Sequence, residues 1–289
     1  MRVLLIGGHG QLGTELRASA QSRTIVAPSR AELDVTDTAR LRLRLAAVNP
    51  DLVINCAAFH DVPLCETEPE RAFRVNTIAV RDLARLCAEH RTRFLTFSTD
   101  YVFGGELTQP YAEDIPPRPV QLYGLSRMAS ELAALAVAPE DTIIVRTCGL
   151  YGAAGSRSRG GNFVDNRVAE ARAGAHIEMA VEQTVSPTSA HDLARAVWQL
   201  VDAPGLTPGI YHLVNEGACS WYDFAAAIFS AVGGPGTVSP VDRGARTGAM
   251  RRPRYSALAN TRAHALGVTL RPWHEALADY LLTTHGVAS

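Results

Sequence analysis

The chain has 289 residues, 47% hydrophobic and 20% charged, with a formal net charge of −1. All 28 of its Lys-plus-Arg positions are arginine, which excludes chemistry built on a lysine amine, whether a Schiff base, a pyridoxal-phosphate anchor or a P-loop lysine. The near-neutral balance gives no reason to expect nucleic acid or a membrane as partner, and 5 scattered cysteines argue against a zinc site or a disulfide framework and for a reducing, cytoplasmic setting.

The amino terminus is apolar for only a few residues before its glycines, too short to span a bilayer, and reads as the first structural element. Apolar runs at Val3–Ile6, Thr24–Ala27, Leu52–Cys56, Arg93–Phe97 and Thr142–Arg146 predict buried parallel strands. Helical patterns lie between them: Leu12–Ala20; Thr38–Val48, with Leu41, Leu45 and Val48 at helical spacing; Glu70–Glu89; and, after the proline-rich Pro110–Val120, Tyr123–Ala136. This alternation predicts an α/β fold, a doubly wound parallel sheet whose ligands bind beyond the carboxyl ends of its strands.

After residue 151 the regularity falls away. Gly152–Gly161 and Gly233–Arg254 are rich in polar and turn-forming residues and predict lids or binding loops. The second of these carries Arg243, Arg246, Arg251, Arg252 and Arg254. A guanidinium suits two phosphate oxygens, although a charge run also serves as a plain solvated face. A helix around His191–Val201 and a strand-like Ile210–Val214 are expected to rejoin the sheet.

The string Gly7-Gly8-His9-Gly10-Gln11-Leu12-Gly13 follows the first strand and opens the first helix. Glycines there allow a tight turn and close approach of a pyrophosphate, and the helix start supplies oriented N–H groups. A tight turn that binds nothing is the alternative, and the setting at the head of a β/α array favours a dinucleotide. Residues 1–150 then form an NAD(P)-binding Rossmann domain, and 151–289 mainly a smaller C-terminal substrate-binding lobe, with segments near 185–215 returning to the sheet. After the second strand stands Arg30, which can accept a 2′-phosphate and favours NADPH. Glu32 and Asp34 close by keep NADH open.

Several strings match one pattern: Gly7-x-x-Gly10-Gln11-Leu12-Gly13, Glu32–Asp37, Asn55–Ala58, Ser98–Phe103, Tyr123–Arg127, Gly161–Val164, Gly209–His212, Ser220–Ala225 and Arg252-Pro253 with Ser256. Together they resemble the dTDP-4-dehydrorhamnose reductases, extended short-chain dehydrogenases that reduce a keto group on a nucleotide-linked sugar. The resemblance covers almost the whole chain and implies Thr99, Tyr123 and Arg127 as catalytic residues. It implies Gly7, Gly10, Gln11, Leu12, Arg30, Asp34, Val35, Ala57, Ala58, Tyr123 and Arg127 around the cofactor. On the substrate side it implies Asp100, Tyr101, Asn162 and Arg252. A nucleotide sugar is the implied partner, a homodimer is allowed, and nine histidines show no metal-ligand spacing.

The chemistry agrees with that assignment. A ketone needs hydride at carbon and a proton at oxygen, and a phenol beside a cation can supply the proton. Tyr123 is the phenol, with Thr99, or else Ser98, holding the carbonyl oxygen. Taken singly, Tyr123 reads better as a packing residue at a helix start and Ser98-Thr99-Asp100 as a polar strand end; both strings at the expected separation favour the catalytic reading.

Three departures stand out. Arg127 replaces the family's lysine and keeps its charge, but a guanidinium effectively never deprotonates. Gly149 stands where many relatives have tryptophan, and Pro63 where they have aspartate. Arg127 and Gly149 keep open a second reading, a non-catalytic NADP-binding regulatory subunit like the beta subunit of methionine adenosyltransferase. A nucleotide-sugar epimerase or dehydratase shares the cofactor turn.

Overall fold

The computed structural model describes residues 1–155, 161–244, 246–247 and 250–287. Residues 156–160, most of the expected Gly152–Gly161 loop, lie outside the described part, as does the side chain of Arg246.

The first half runs β1 (Arg2–Ile6), α1 (Gln11–Ala18), β2 (Thr24–Val26), α2 (Thr38–Val48), β3 (Leu52–Asn55), α3 (Val62–Thr67), α4 (Pro69–Phe73), a π-helical turn (Arg74–Ile78), α5 (Ala79–Glu89), β4 (Arg93–Thr99), a 3-10 turn (Asp100–Val102), α6 (Leu122–Val137) and β5 (Thr142–Thr147). The second half continues with β6 (Leu150–Tyr151), α7 (Phe163–Arg172), β7 (His176–Ala180), β8 (Thr184–Val185), β9 (Thr188–Ser189), α8 (Ala190–Asp202), β10 (Gly209–His212), β11 (Cys219–Ser220), α9 (Trp221–Val232), β12 (Thr237–Val241), the short strands β13 (Arg246–Thr247) and β14 (Met250–Arg251), α10 (Thr261–Ala265) and α11 (Trp273–His285).

Six strands form the main sheet in the order β10-β5-β4-β3-β1-β2, and every neighbouring pair is parallel. It is the α/β doubly wound sheet that the alternation predicts. Alternate strand residues point to opposite faces. Val3, Leu5, Ile54 and Leu95 pack with Leu16 of α1 and Val197 of α8, while Leu4, Ile6, Val53 and Phe94 pack with Leu41, Leu45 and Leu83. Each such side chain contributes about 1.5–3 kcal/mol on full burial. Chain order reverses at β1, which pairs with β2 on one side and β3 on the other, and at such a reversal a crevice opens above the carboxyl ends.

Two elements differ from the sequence expectation. The long helix of residues 70–89 is divided into α4, the π turn and α5, because Asn76 in the π turn turns inward and fastens to Phe59. A separate helix, α3, precedes it: Asp61 caps it through the Leu64 amide at 3.1 Å, and Pro63 lies in its first turn, where no intrahelical N–H is needed.

The second half is also more regular than its composition suggests. Thr237–Val241 pairs in parallel with His176–Ala180, with Pro240 opposite Met179, and proline is tolerated in a two-stranded ribbon with a free edge. Tyr151, Val164, Phe224 and Leu281 form a core of their own there. No helix among the described residues is long and apolar enough to cross a membrane.

Candidate active site

A cleft of about 1220 Å³ runs along the carboxyl ends of the strands, from the glycine turn to Trp221 and Arg252. The turn is shaped by backbone contact. Gly7 has φ +75°, and a side-chain carbon there would lie 2.8 Å from the Ala57 nitrogen; one on Gly13 would lie 2.4 Å from the Gly7 oxygen. Gly10 caps α1 with no side-chain bond, and a carbon on it would meet nothing nearer than 3.4 Å. Gly10, Gln11, Leu12 and Gly13 line the cleft, and first-turn amides, which have no intrahelical acceptor, suit the pyrophosphate of a dinucleotide.

Val35, Ala57 and Ala58 line the same end of the cleft with Arg30 and Asp34. Arg30 is held loosely, its side chain 80% exposed and 3.3 Å from Asp34. Asp34 also accepts the Thr36 hydroxyl at 2.7 Å and its amide at 2.9 Å. These bonds, the hydroxyl's first, hold its pKa below the ordinary carboxylate value against the effect of burial.

The reacting end is assembled where β4 meets α6. Thr99 ends β4 and caps the 3-10 turn by accepting the Tyr101 amide at 3.2 Å. Tyr123 lies in the first turn of α6, its ring edge-on to Tyr101 with centroids 6.2 Å apart. One turn on, Arg127 is 3% exposed. Its Nε and Nη1 have no hydrogen-bond partner, and Thr99, Tyr123 and Arg127 all border the cleft. Burial lowers the Arg127 pKa, while Tyr123, Glu131 and Cys65 act to raise it. A guanidinium stays charged regardless, so this is a buried cation with unused donors beside a phenol, as a ribose hydroxyl would require.

Several supports escaped the sequence reading. Asn76 donates to the Phe59 oxygen at 2.9 Å and to Ser126 Oγ at 3.0 Å, and Ser126 donates to the Tyr123 carbonyl at 2.7 Å. Glu66 of α3 accepts the Leu122 amide at 2.7 Å, placing a carboxylate at the positive end of α6. The Ser98 hydroxyl donates to Glu131, which takes it away from the carbonyl seat. Glu131 in turn holds Arg146 through Nε at 2.9 Å and Nη2 at 2.7 Å, and Arg146 Nη1 lies 3.3 Å from His212 Nε2. A lone Asn on an apolar helix face is the single hint that the sequence carries for any of these.

On the far side, Arg252 donates to the Tyr101 hydroxyl at 3.2 Å, and Phe163 and Trp221 form an aromatic wall with centroids 4.7 Å apart. Gly149 has φ +55° and is packed closely beside that wall, since a carbon on it would lie 3.1 Å from the Pro187 Cα and 3.6 Å from the Trp221 ring. Asn162 borders the cleft, but its side chain is taken up structurally. Its oxygen caps α7 through the Asp165 amide at 2.9 Å, and its nitrogen serves the Gly152 carbonyl, Asp165 and the Tyr280 hydroxyl. Asp192 pairs with Arg271 at 2.8 Å. No group of three or more His, Cys, Asp or Glu among the described residues is arranged to hold a metal ion.

Comparison with known proteins agrees with this geometry. The family described as RmlD substrate binding domain matches residues 1–285. A dTDP-4-dehydrorhamnose reductase of Mycolicibacterium smegmatis is 37% identical over 100% of this chain and 87% of its own length. The spore coat polysaccharide biosynthesis protein SpsK of Bacillus subtilis is 36% identical over 97% of this chain and 96% of its own. The crystal structure of a dTDP-4-dehydrorhamnose reductase from Bacillus anthracis in complex with NADP superposes with a TM-score of 0.91 at 30% identity, covering 98% of this chain and 99% of that one. With its glycine turn, its Thr99 and Tyr123 and its buried cation already in hand, the chain belongs to the RmlD substrate binding domain family, the dTDP-4-dehydrorhamnose reductases among the extended short-chain dehydrogenases, and is an NAD(P)-dependent oxidoreductase.

Proposed function

We propose that this chain uses NADPH to reduce the 4-keto group of a dTDP-linked 6-deoxysugar in the cytoplasm. The observation that carries the reading is Arg127, a buried guanidinium with two unused donor atoms bordering the same cleft as Tyr123 and Thr99. The residues fit a nicotinamide dinucleotide, and that group supplies the hydride when bound.

In this reading Gly7, Gly10, Gln11 and Leu12 hold the pyrophosphate with backbone N–H groups, and Val35, Ala57 and Ala58 form the apolar floor around them. Arg30 takes the 2′-phosphate in place of Asp34, which gives NADPH its advantage over NADH. Arg127 donates to the nicotinamide ribose and favours a developing phenolate on Tyr123, which gives its proton to the ketone oxygen. Thr99 seats that oxygen. Tyr101 and Arg252 face the sugar and its diphosphate, and Asn162 acts indirectly, through its hold on the Gly152 carbonyl.

The reading is tested by following loss of reduced-cofactor absorbance when purified protein, NADPH and dTDP-4-dehydrorhamnose are mixed. Turnover supports it. Cofactor binding without turnover of this or any related 4-ketosugar overturns it in favour of a binding role.

A further inference from the structure

Asp100 borders the cleft, yet its carboxylate is taken up by neighbouring side chains. The residue is 4% exposed, and the carboxylate collects donors from three segments. Ser256, on the return from the basic loop, gives its hydroxyl to Oδ2 at 2.6 Å; Thr99, at the end of β4, gives its hydroxyl to Oδ1 at 3.0 Å; and the thiol of Cys148, just past β5, bonds to the same carboxylate.

The Thr99 hydroxyl has one proton. While Asp100 is ionised that proton is committed to it, and the same oxygen accepts the Tyr101 amide at 3.2 Å. What Thr99 can then offer the cleft is a lone pair, which suits an alcohol. A ketone oxygen needs a donor. If Asp100 carries a proton, its acid O–H can donate to Thr99 Oγ1, and the Thr99 proton is released toward the cleft.

We propose that Asp100 is a positioning residue whose protonation sets whether Thr99 meets the ligand as donor or as acceptor. The proposal rests on the reductase reading of the cleft. Asp100 loses no proton in the reaction and only redirects hydrogen bonds; the proton that reaches the ketone oxygen still leaves Tyr123. Arg127 cannot share this role, because a guanidinium keeps its protons at any working pH.

Burial pushes the Asp100 pKa above the ordinary carboxylate value, while Ser256, Cys148 and Thr99 pull it back. Titratable and charged groups stand on each element around it: the Cys148 thiol, which burial keeps protonated, with Cys219 near it, the Tyr101 phenol with Arg252 on its oxygen, Tyr123, Arg127 and Glu131 of α6, Arg146 of β5 held by Glu131, and Arg254 and Tyr255 beside Ser256.

The test compares wild type, Ser256→Ala and Asp100→Asn between about pH 5 and pH 9, in two measurements. One is kcat for NADPH oxidation by dTDP-4-dehydrorhamnose; the other is the infrared carbonyl band of a protonated carboxyl group, which needs no substrate. Wild-type kcat should fall as pH rises through one inflection, with the band disappearing over the same range. Ser256→Ala, lacking a donor to the ionised form, should move both upward by about one pH unit, a tenfold change in the ionisation constant. Asp100→Asn should lose both. An inflection at the pH where the wild-type band disappears that persists in Asp100→Asn, or that stays in place in Ser256→Ala, overturns the proposal. So does turnover in a wild type that shows no such band, and Ser256→Ala alone decides the matter if Asp100→Asn fails to fold. A band that titrates in a chain with no activity on any 4-ketosugar counts against the reductase reading instead.

Discussion

A side-chain carbon on Gly124 would stand 1.9 Å from the carbonyl oxygen of Tyr101. The first turn of α6 thus rests directly on the turn that follows Thr99, and the residue after Tyr123 has to be glycine. Through this contact the phenol and the hydroxyl, far apart in sequence, share one rigid frame.

Gly124→Ala should therefore act on catalysis through a small displacement. Overpacking of this kind costs about 1–3 kcal/mol, and a 1 Å misplacement can cost about 100-fold in rate. The expected result is a lower Tm with kcat reduced about 100-fold and NADPH affinity little changed. Unchanged kcat would show that the contact relaxes without moving Tyr123.

Arg127 separates charge from shape. Arg127→Met leaves neither, and should weaken NADPH binding about tenfold and lower kcat about 100-fold, since hydrogen bonds from charged donors are worth about 1.5–3 kcal/mol. Arg127→Lys keeps the cation without the planar fork and should remain within about tenfold of wild type in kcat. Fluorescence titration of NADPH and steady-state rates check both, and an unchanged kcat in Arg127→Met would show that the cation does not act on Tyr123.

Arg30 bears on cofactor choice. Its exposed pair with Asp34 is worth about 0–1 kcal/mol, so Arg30 can leave for a 2′-phosphate at little cost. Arg30→Ala should raise KM for NADPH about five- to tenfold and leave KM for NADH unchanged, with the NADPH effect shrinking at high salt. Equal effects on both cofactors would place Arg30 away from the phosphate.

His212 makes stability depend on pH. Burial, with the Arg146 cation next in weight, lowers its pKa from 6.5 to about 3. Its Nδ1 lies 3.0 Å from the Tyr111 oxygen, so the neutral ring donates there and accepts Arg146 at Nε2. Between those two pH values the unfolded chain binds a proton that the folded chain refuses. The stability from the neutral ring is therefore complete above about pH 6.5 and is lost as pH falls toward 3, by up to about 1.4 kcal/mol per pH unit. His212→Asn should flatten that part of the stability curve measured by urea unfolding; an unchanged acid slope would rule the ring out.

Features enforced by backbone geometry or local pattern were legible in the sequence. Gly7 and Gly13 can be nothing else, and the strands β1, β3, β4 and β5 announce themselves as apolar runs because both faces are buried. Thr99 and Tyr123 were readable only through their accompanying strings. Glu131, Arg146 and His212 were not legible, since their partners are 15 to 66 residues away and no local period marks them. Asn76 left only a hint, as a lone polar residue on an apolar face: the π turn in which it sits leaves the hydrophobic spacing of the helix unchanged.

The place of β10 has a consequence for biosynthesis. The strand that closes the outer edge of β5 spans Gly209–His212, whereas β5 ends at Thr147. At about 5–20 residues per second, a ribosome leaves that edge bare for several seconds. Thr142–Thr147 carries the apolar run Ile143–Val145 at its centre, so a nascent chain paused in that interval presents an adhesive strand. Slowing translation downstream of residue 147 should favour aggregation, and a chaperone that shields the strand should relieve it.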